Sequence, residues 1–128
     1  MKKFILPLTL VLIASPALAK PVVTPIQFAK GSDCGYFEGN VKNRELTLNL
    51  KKGQYLIVTV SKSFDEDDYV NPKLKDPKGK DQLPFSSTVF VDEYLEEYQI
   101  AHTGKHRFTF DLYDEYTFAE IKFCAYDK

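Results

Sequence analysis

The chain contains several stretches in which apolar and polar residues alternate, a pattern typical of β-strands with one buried face. The alternation is cleanest at residues 45–50, where leucine occupies every second position. It returns at residues 108–112 and again at residues 119–125. Residues 55–60 are apolar on both faces, which predicts a strand in the middle of a sheet.

Shorter and less regular segments complete the strand prediction. Residues 22–28 are rich in β-formers, and Pro21 and Pro25 favour an edge position for them. Residues 61–68 and 75–87 have the polar, Pro- or Gly-containing composition of loops. Further strands are predicted at residues 34–41, 69–74, 88–91 and 98–101.

One segment, residues 92–97, fits either a strand or a helical turn, because Val91, Tyr94, Leu95 and Tyr98 also follow helical spacing. No helix of ordinary length is visible elsewhere. Turns recur about every 8–12 residues, as in all-β domains. We therefore predict an all-β fold, a small antiparallel, jelly-roll-like β-sandwich with eight or nine short strands.

The first 19 residues have the features of a cleaved signal peptide. Lys2 and Lys3 precede an apolar run over residues 4–13, and Ala17-Leu18-Ala19 offers small residues before the cleavage point. The apolar run is too short to span a bilayer, which takes about 20 residues. We expect residues 20–128 to form a single mature domain, without a membrane span, in the periplasm or outside the cell.

Composition narrows the class of partner. The chain has 17 Lys and Arg against 18 Asp and Glu, so it lacks the basic excess that nucleic-acid binding needs. It has 8 Tyr and 10 Phe but no Trp, which is enough aromatic content for a folded core. The two cysteines, Cys34 and Cys124, are predicted to form one disulfide in an oxidising compartment. Since Cys124 alternates with the apolar positions of its strand, the bond should lie near an outer face or edge.

The acidic residues cluster in segments that fall at one end of an antiparallel sandwich, because alternate connections share an end. Such an acidic end would attract a cationic partner, and tyrosines there would supply aromatic anchors. Asp65, Asp67 and Asp68 are also a weak candidate calcium site, since Ca²⁺ prefers clustered carboxylates. The lysine-rich connections fall at the other end. The predicted partner-binding residues are Asp65, Glu66, Asp67, Asp68, Tyr94, Tyr113, Asp114, Glu115 and Tyr116.

Catalytic signatures are missing from the sequence. It contains no nucleophile elbow, P-loop or H-E-x-x-H motif. The only histidines, His102 and His106, flank a predicted hairpin turn and are expected to be exposed there. We therefore predict a protein that is not an enzyme and that binds no cofactor.

A family resemblance rests on the order of several short motifs. They are Ile26-Gln27-Phe28-Ala29-Lys30-Gly31-Ser32, Tyr36-Phe37-Glu38-Gly39-Asn40-Val41-Lys42, Leu46-Thr47-Leu48, Lys51-Lys52-Gly53-Gln54 and Thr103-Gly104-Lys105-His106. This order resembles that of the periplasmic inhibitors of g-type lysozyme, and the chain is also similar to the bacterial pre-peptidase C-terminal domain family. The inhibitors have a longer, basic loop before the last strand, whereas residues 113–116 are acidic here, so their lysozyme-contacting residues are not carried over.

The resemblance implies an exported sandwich that blocks a muramidase by inserting surface loops into its cleft. The expected partner is then a cationic exported protein such as a lysozyme. Two alternatives remain open from the residues alone. One is a module that binds peptidoglycan or another polysaccharide, and the other is an envelope protein with no small ligand.

Overall fold

The computed structural model describes residues 20–61, 71–111 and 118–127. The predicted leader at 1–19 and the acidic segments at 65–68 and 113–116 lie outside these residues. In the described part, no helix has the length and apolarity that a membrane crossing requires. The strands are β1 Val22–Pro25, β2 Cys34–Asn40, β3 Arg44–Leu50, β4 Tyr55–Ser61, β5 Asn71–Lys75, β6 Asp81–Gln82, β7 Ser86–Val89, β8 Glu93–Gln99, β9 Gly104–Asp111 and β10 Phe118–Tyr126.

The strands form two five-stranded sheets. Sheet A has the order β1-β3-β9-β5-β6, and sheet B has the order β2-β10-β4-β8-β7. β1 pairs with β3 in parallel, and every other described pair is antiparallel. The predicted all-β, antiparallel sandwich is confirmed, although the described residues contain ten strands and not eight or nine. The edge position predicted from the prolines holds for β1, although this strand ends at Pro25 rather than at residue 28.

The core lies between the two sheets and is built by the alternating strands. Phe108 of sheet A packs against Phe123 of sheet B with ring centroids 5.1 Å apart, and against Tyr98 at 6.2 Å. All three side chains are buried. The middle strand of sheet B is β4, as its apolar character predicted. Its inner residues are fully buried and its outer ones half-buried.

The second half of the chain differs from the prediction in two places. The segment at 75–87, predicted as a loop, contains β6 and the start of β7. The ambiguous segment at 92–97 is not a helical turn but belongs to β8, which also absorbs the strand predicted at 98–101. The cause is tertiary: Tyr94 and Tyr98 alternate into the core, and two neighbouring strands satisfy the backbone of β8.

The connections rich in lysine meet at one end of the sandwich. The amide of Gly53 donates to the carbonyl of Ile100 over 2.8 Å, and the amide of Lys52 donates to Thr103 Oγ1 over 2.9 Å. Pro77 lies directly against Gly104. β4 and β9 run away from this end and finish at Ser61 and Asp111, at the opposite end. There, Ser61 pairs with Glu93.

Candidate partner-binding face

The outer face of sheet B brings together carboxylates that are far apart in the sequence. Glu38 of β2 lies directly opposite Glu120 of β10. Because Ile121 pairs with Val60, Glu120 stands next to Ser61 of β4, and Ser61 in turn pairs with Glu93 of β8. These four residues, Glu38, Glu120, Ser61 and Glu93, form a line across four strands, here called the acidic row.

The acidic row borders a shallow groove of about 310 Å³. Lys122 is the one basic residue in its lining, so the three glutamates leave it with two net negative charges. Of the described lysines and arginines, none forms an ion pair with a glutamate of the row. Like charges directly opposite each other on a sheet are destabilising. The free protein therefore retains an unfavourable arrangement that a cationic partner would relieve.

Aromatic rings accompany the row. Tyr36, two residues before Glu38 and on the same face of β2, also lines the groove and is 69% exposed. Phe118 is 43% exposed and pairs with Asn40, next to the pair formed by Glu38 and Glu120. Large exposed rings beside charges are frequent anchors in protein interfaces. The face thus offers the charge and ring combination expected for a protein partner.

The predicted disulfide between Cys34 and Cys124 is present. The two residues face each other across β2 and β10, so the bond lies on the outer side of sheet B, as predicted. Cys34 Sγ also lies 4.0 Å from the hydroxyl of Tyr126. Since β10 is the only neighbour of β2 among the described strands, the disulfide fastens the edge strand that carries Tyr36 and Glu38.

A second acidic position on this face already has a partner. The hydroxyl of Tyr55 donates to Glu97 Oε1, and the ring of Tyr55 packs 5.7 Å from that of Phe85. The hydrogen bond to Glu97, followed by burial, raises the pKa of Tyr55 to about 12. Tyr55 therefore stays protonated, and Glu97 is less available to a partner than the glutamates of the acidic row.

Sheet A presents the opposite charge on its outer face. Arg107 lies next to Lys75 in the pairing of β5 with β9, and Lys105 lies two residues away. Two of these cations have one acidic neighbour each among the described side chains: Asp81 lies 2.5 Å from Lys75, and Glu45 lies 3.9 Å from Arg107. The two outer faces of the sandwich therefore differ in charge, in addition to any difference between its ends.

The predicted site residues have mixed outcomes. Tyr94, expected as an exposed anchor, lies in the core at 9% exposure, because it alternates inward on β8. Residues 65–68 and 113–116 lie outside the described residues, so their role stays a prediction. The described residues contain no cluster of three metal-ligating side chains. The acidic row was missed, since its members are separated by up to 82 positions and only strand order unites them.

The histidines also correct a prediction. His102 is exposed as expected, but His106 is completely buried. On β9 it shares the inward side with Phe108, and its Nδ1 lies 3.0 Å from the carbonyl oxygen of Gly104. Burial lowers the pKa of His106, partly opposed by the Gly104 carbonyl and by Asp76. His106 therefore belongs to the core and not to a surface.

The described residues thus form a small all-β sandwich whose two outer faces are charged and which contains no cluster of metal-ligating side chains. No family model and no curated protein matches the chain. Among solved structures, the chain is similar to Aeromonas hydrophila PliG, described as a periplasmic lysozyme inhibitor of g-type lysozyme. The match has a TM-score of 0.58 at 18% identity and covers 84% of this chain and 98% of PliG. It establishes that the two proteins share a fold, as the motif order indicated.

Proposed function

We propose that this chain is an exported binding protein that inhibits a lysozyme, with g-type lysozyme as the first target to test. One observation carries the proposal: the fold matches that of a periplasmic lysozyme inhibitor over 98% of that inhibitor's length. The order of sequence motifs supports the same family independently of the fold. The disulfide supports export, because such bonds persist in oxidising compartments.

The charge distribution supports a cationic partner. Lysozymes are typically basic, and the acidic row with Tyr36 offers both attraction and an aromatic contact. Complementary charge mainly accelerates association and selects among partners. Inhibition would then follow from loops of this protein entering the muramidase cleft, with the acidic segments at 65–68 and 113–116 as the proposed loops.

The decisive experiment is a peptidoglycan lysis assay with g-, c- and i-type lysozymes, with and without the purified mature protein. We expect inhibition of the g-type enzyme at stoichiometric protein. Failure to inhibit any of the three types would overturn the proposed function. N-terminal sequencing of the exported protein tests the leader at the same time, since we expect the mature chain to begin at Lys20.

Two charge variants assign the contact surface. The double variant Glu38→Gln/Glu120→Gln should slow association with the lysozyme at low salt, with the difference vanishing near 1 M salt, where the Debye length is about 3 Å. Glu45→Gln/Asp81→Asn, which removes two carboxylates from the outer face of sheet A, is the matched control and should leave the rate unchanged. Equal effects of both variants would refute docking on the acidic row.

The acidic end is tested separately by the triple variant Asp65→Asn/Asp67→Asn/Asp68→Asn. If these residues contact the lysozyme, salt-sensitive binding weakens, whereas an unchanged association rate would contradict their role. Calorimetric titration of the unmodified protein with Ca²⁺ tests the calcium hypothesis. Absence of heat and of a shift in melting temperature would remove it.

Carbohydrate binding is the second candidate, because the exposed ring of Tyr36 could stack on a sugar. A protein of this kind would be retained on insoluble peptidoglycan in the absence of any lysozyme. Retention that is lost in Tyr36→Ala but kept in Tyr126→Ala, a variant at another exposed tyrosine of the same face, would favour this alternative over inhibition.

A further inference from the structure

A second cavity lies at the open edge of the sandwich, away from the acidic row. It has a volume of about 290 Å³ and opens between β5 and β6 of sheet A and the inner side of β8 in sheet B. Its walls are mainly apolar, with Pro72 and Leu74 buried behind it and Leu83, which is 82% exposed, at its mouth. The cavity therefore opens to solvent beside the exposed side chain of Leu83.

Glu96 is the buried charged residue of the lining and is only 4% exposed. Its two carboxylate oxygens each accept one tyrosine hydroxyl: Tyr94 donates to Oε1 over 2.5 Å, and Tyr98 donates to Oε2. Burial raises the pKa of Tyr98, and Glu96 raises it further, so its hydroxyl stays protonated and able to donate. The tyrosines thus hold the carboxylate in one orientation, and each oxygen retains capacity for a further donor.

This carboxylate has no counter-ion among the described residues, because neither ion pair formed by their lysines and arginines involves Glu96. Lys73 and Asp81 at the rim carry opposite charges, so the lining as a whole has one net negative charge. A buried charge without a cation is costly. The hydrogen bonds from Tyr94 and Tyr98 offset part of this cost, and a cation beside Glu96 would offset more of it.

A second acceptor in the lining also lacks a donor. Gln82 donates through Nε2 to the carbonyl of Gln99 over 2.5 Å, but its Oε1 is buried and has no hydrogen-bond partner. Buried polar atoms of this kind are uncommon in native proteins. The lining therefore combines a fixed carboxylate, an unpaired amide oxygen and apolar walls, which together suit a donor-rich cation on an aliphatic stem.

We propose that this open-edge cavity binds a primary alkylammonium group, of the kind that ends a lysine side chain. The stem packs along Leu74 and Leu83, and the ammonium donates to Glu96 and Gln82. An ammonium supplies three donors and no acceptor, which matches three acceptor atoms: the two oxygens of Glu96 and Oε1 of Gln82. This proposal is independent of the proposed inhibition, because residues of this chain alone form the cavity and its binding can be tested without a lysozyme.

The test is a titration of the ¹⁵N-labelled protein with n-butylammonium chloride, followed by amide chemical shifts. Saturable shifts should be concentrated at Leu74, Gln82 and Tyr98, and n-butanol, which lacks the charge, should produce much weaker ones. Glu96→Gln should weaken binding at least about tenfold, since it removes a charge-assisted contact. Glu93→Gln, an equal charge change on the outer face of the same strand, should leave binding intact.

A further variant keeps the proposal testable if Glu96→Gln fails to fold. Leu83→Ser lies at an exposed position, so it should fold normally and weaken binding about threefold by shortening the apolar wall. Absence of saturable shifts with n-butylammonium, or equal binding in Glu93→Gln and Glu96→Gln, would overturn the proposal.

The source of the amine is resolved by a second measurement. If the natural ligand is a lysine of the proposed lysozyme partner, n-butylammonium should compete with complex formation, and Glu96→Gln should weaken the complex. If the natural ligand is a free small amine, n-butylammonium and the lysozyme should bind the protein simultaneously. Since the amine titration contains no lysozyme, failure of the inhibition assay leaves its result unaffected.

Discussion

Acid should destabilise this protein through one buried histidine. His106 is fully buried on β9, and its Nδ1 is within hydrogen-bond distance of a carbonyl oxygen, so the neutral ring carries its proton on Nδ1. Its Nε2 is buried and has no hydrogen-bond partner. Protonation would place a charge on this unpartnered atom inside the sandwich. The pKa of His106 is accordingly lowered, mainly by burial.

The sign and limit of the effect follow from proton linkage. The unfolded histidine titrates near 6.5, above the pKa of folded His106, so the unfolded chain takes up the proton first as the pH falls. The stabilising contribution is therefore complete above pH 6.5 and is lost as the pH falls toward the folded pKa. If folded His106 stays neutral throughout, the loss between pH 7 and pH 5 is about 2 kcal/mol, which is the upper limit.

Urea denaturation at pH 7 and pH 5 measures this loss as the change in free energy of unfolding. His106→Leu, a substitution of similar volume, should reduce the change by up to about 2 kcal/mol. At pH 7 the His106→Leu variant should lose little stability. It loses the hydrogen bond to the Gly104 carbonyl, but it also removes the buried Nε2, which has no hydrogen-bond partner. The exposed His102 provides the control: His102→Asn should keep the full pH dependence. If His106→Leu and the wild type lose equal stability between the two pH values, the reasoning is wrong.

Two further predictions concern the attachment of β2. Replacing both Cys34 and Cys124 by alanine should lower the free energy of unfolding by about 4–5 kcal/mol at most, because the bond closes a loop with a sequence separation of 90. Urea denaturation measures this loss, and a loss below about 1 kcal/mol would contradict the prediction. Gly35→Ala should lower the free energy of unfolding by about 1–3 kcal/mol in the same measurement, because the added methyl group would lie 2.7 Å from Ile26 Cγ2. An unchanged denaturation midpoint would show that the Ile26 side chain moves aside without cost.

Much of the fold was predictable because alternation is a local signal. The leucines of β3 and the apolar positions of β4 and β10 need no knowledge of their neighbours to be placed on a buried face. The same logic could have placed His106 correctly. It stands two residues before Phe108, so any strand that buries the phenylalanine also buries the histidine. The prediction instead assigned His106 to the exposed hairpin turn that begins at His102, although β9 starts at Gly104.

The acidic row could not be read from the sequence for a different reason. Adjacent acidic residues such as Asp65 to Asp68 stand out in a linear chain, whereas Glu38, Glu93 and Glu120 are single residues in ordinary strands. They meet only because β10 inserts between β2 and β4. The register between strands that are distant in sequence depends on the packing of the whole core. The local composition of each strand therefore does not predict which residues face each other.

The position of the acidic row links the two surfaces considered for a partner. Ser61, within the row, is the last residue of β4, and Phe118, the first residue of β10, is two positions from Glu120. The chain therefore enters the segment at 62–70 and leaves the segment at 112–117 beside the row. A cationic protein attracted to the groove would meet the sandwich at the end opposite the lysine-rich connections, with the basic outer face of sheet A turned away. Although the total charge is nearly neutral, the separation of acidic and basic surfaces produces an electrostatic field with a direction. That field would favour one orientation of a cationic partner on the sandwich over the reverse orientation.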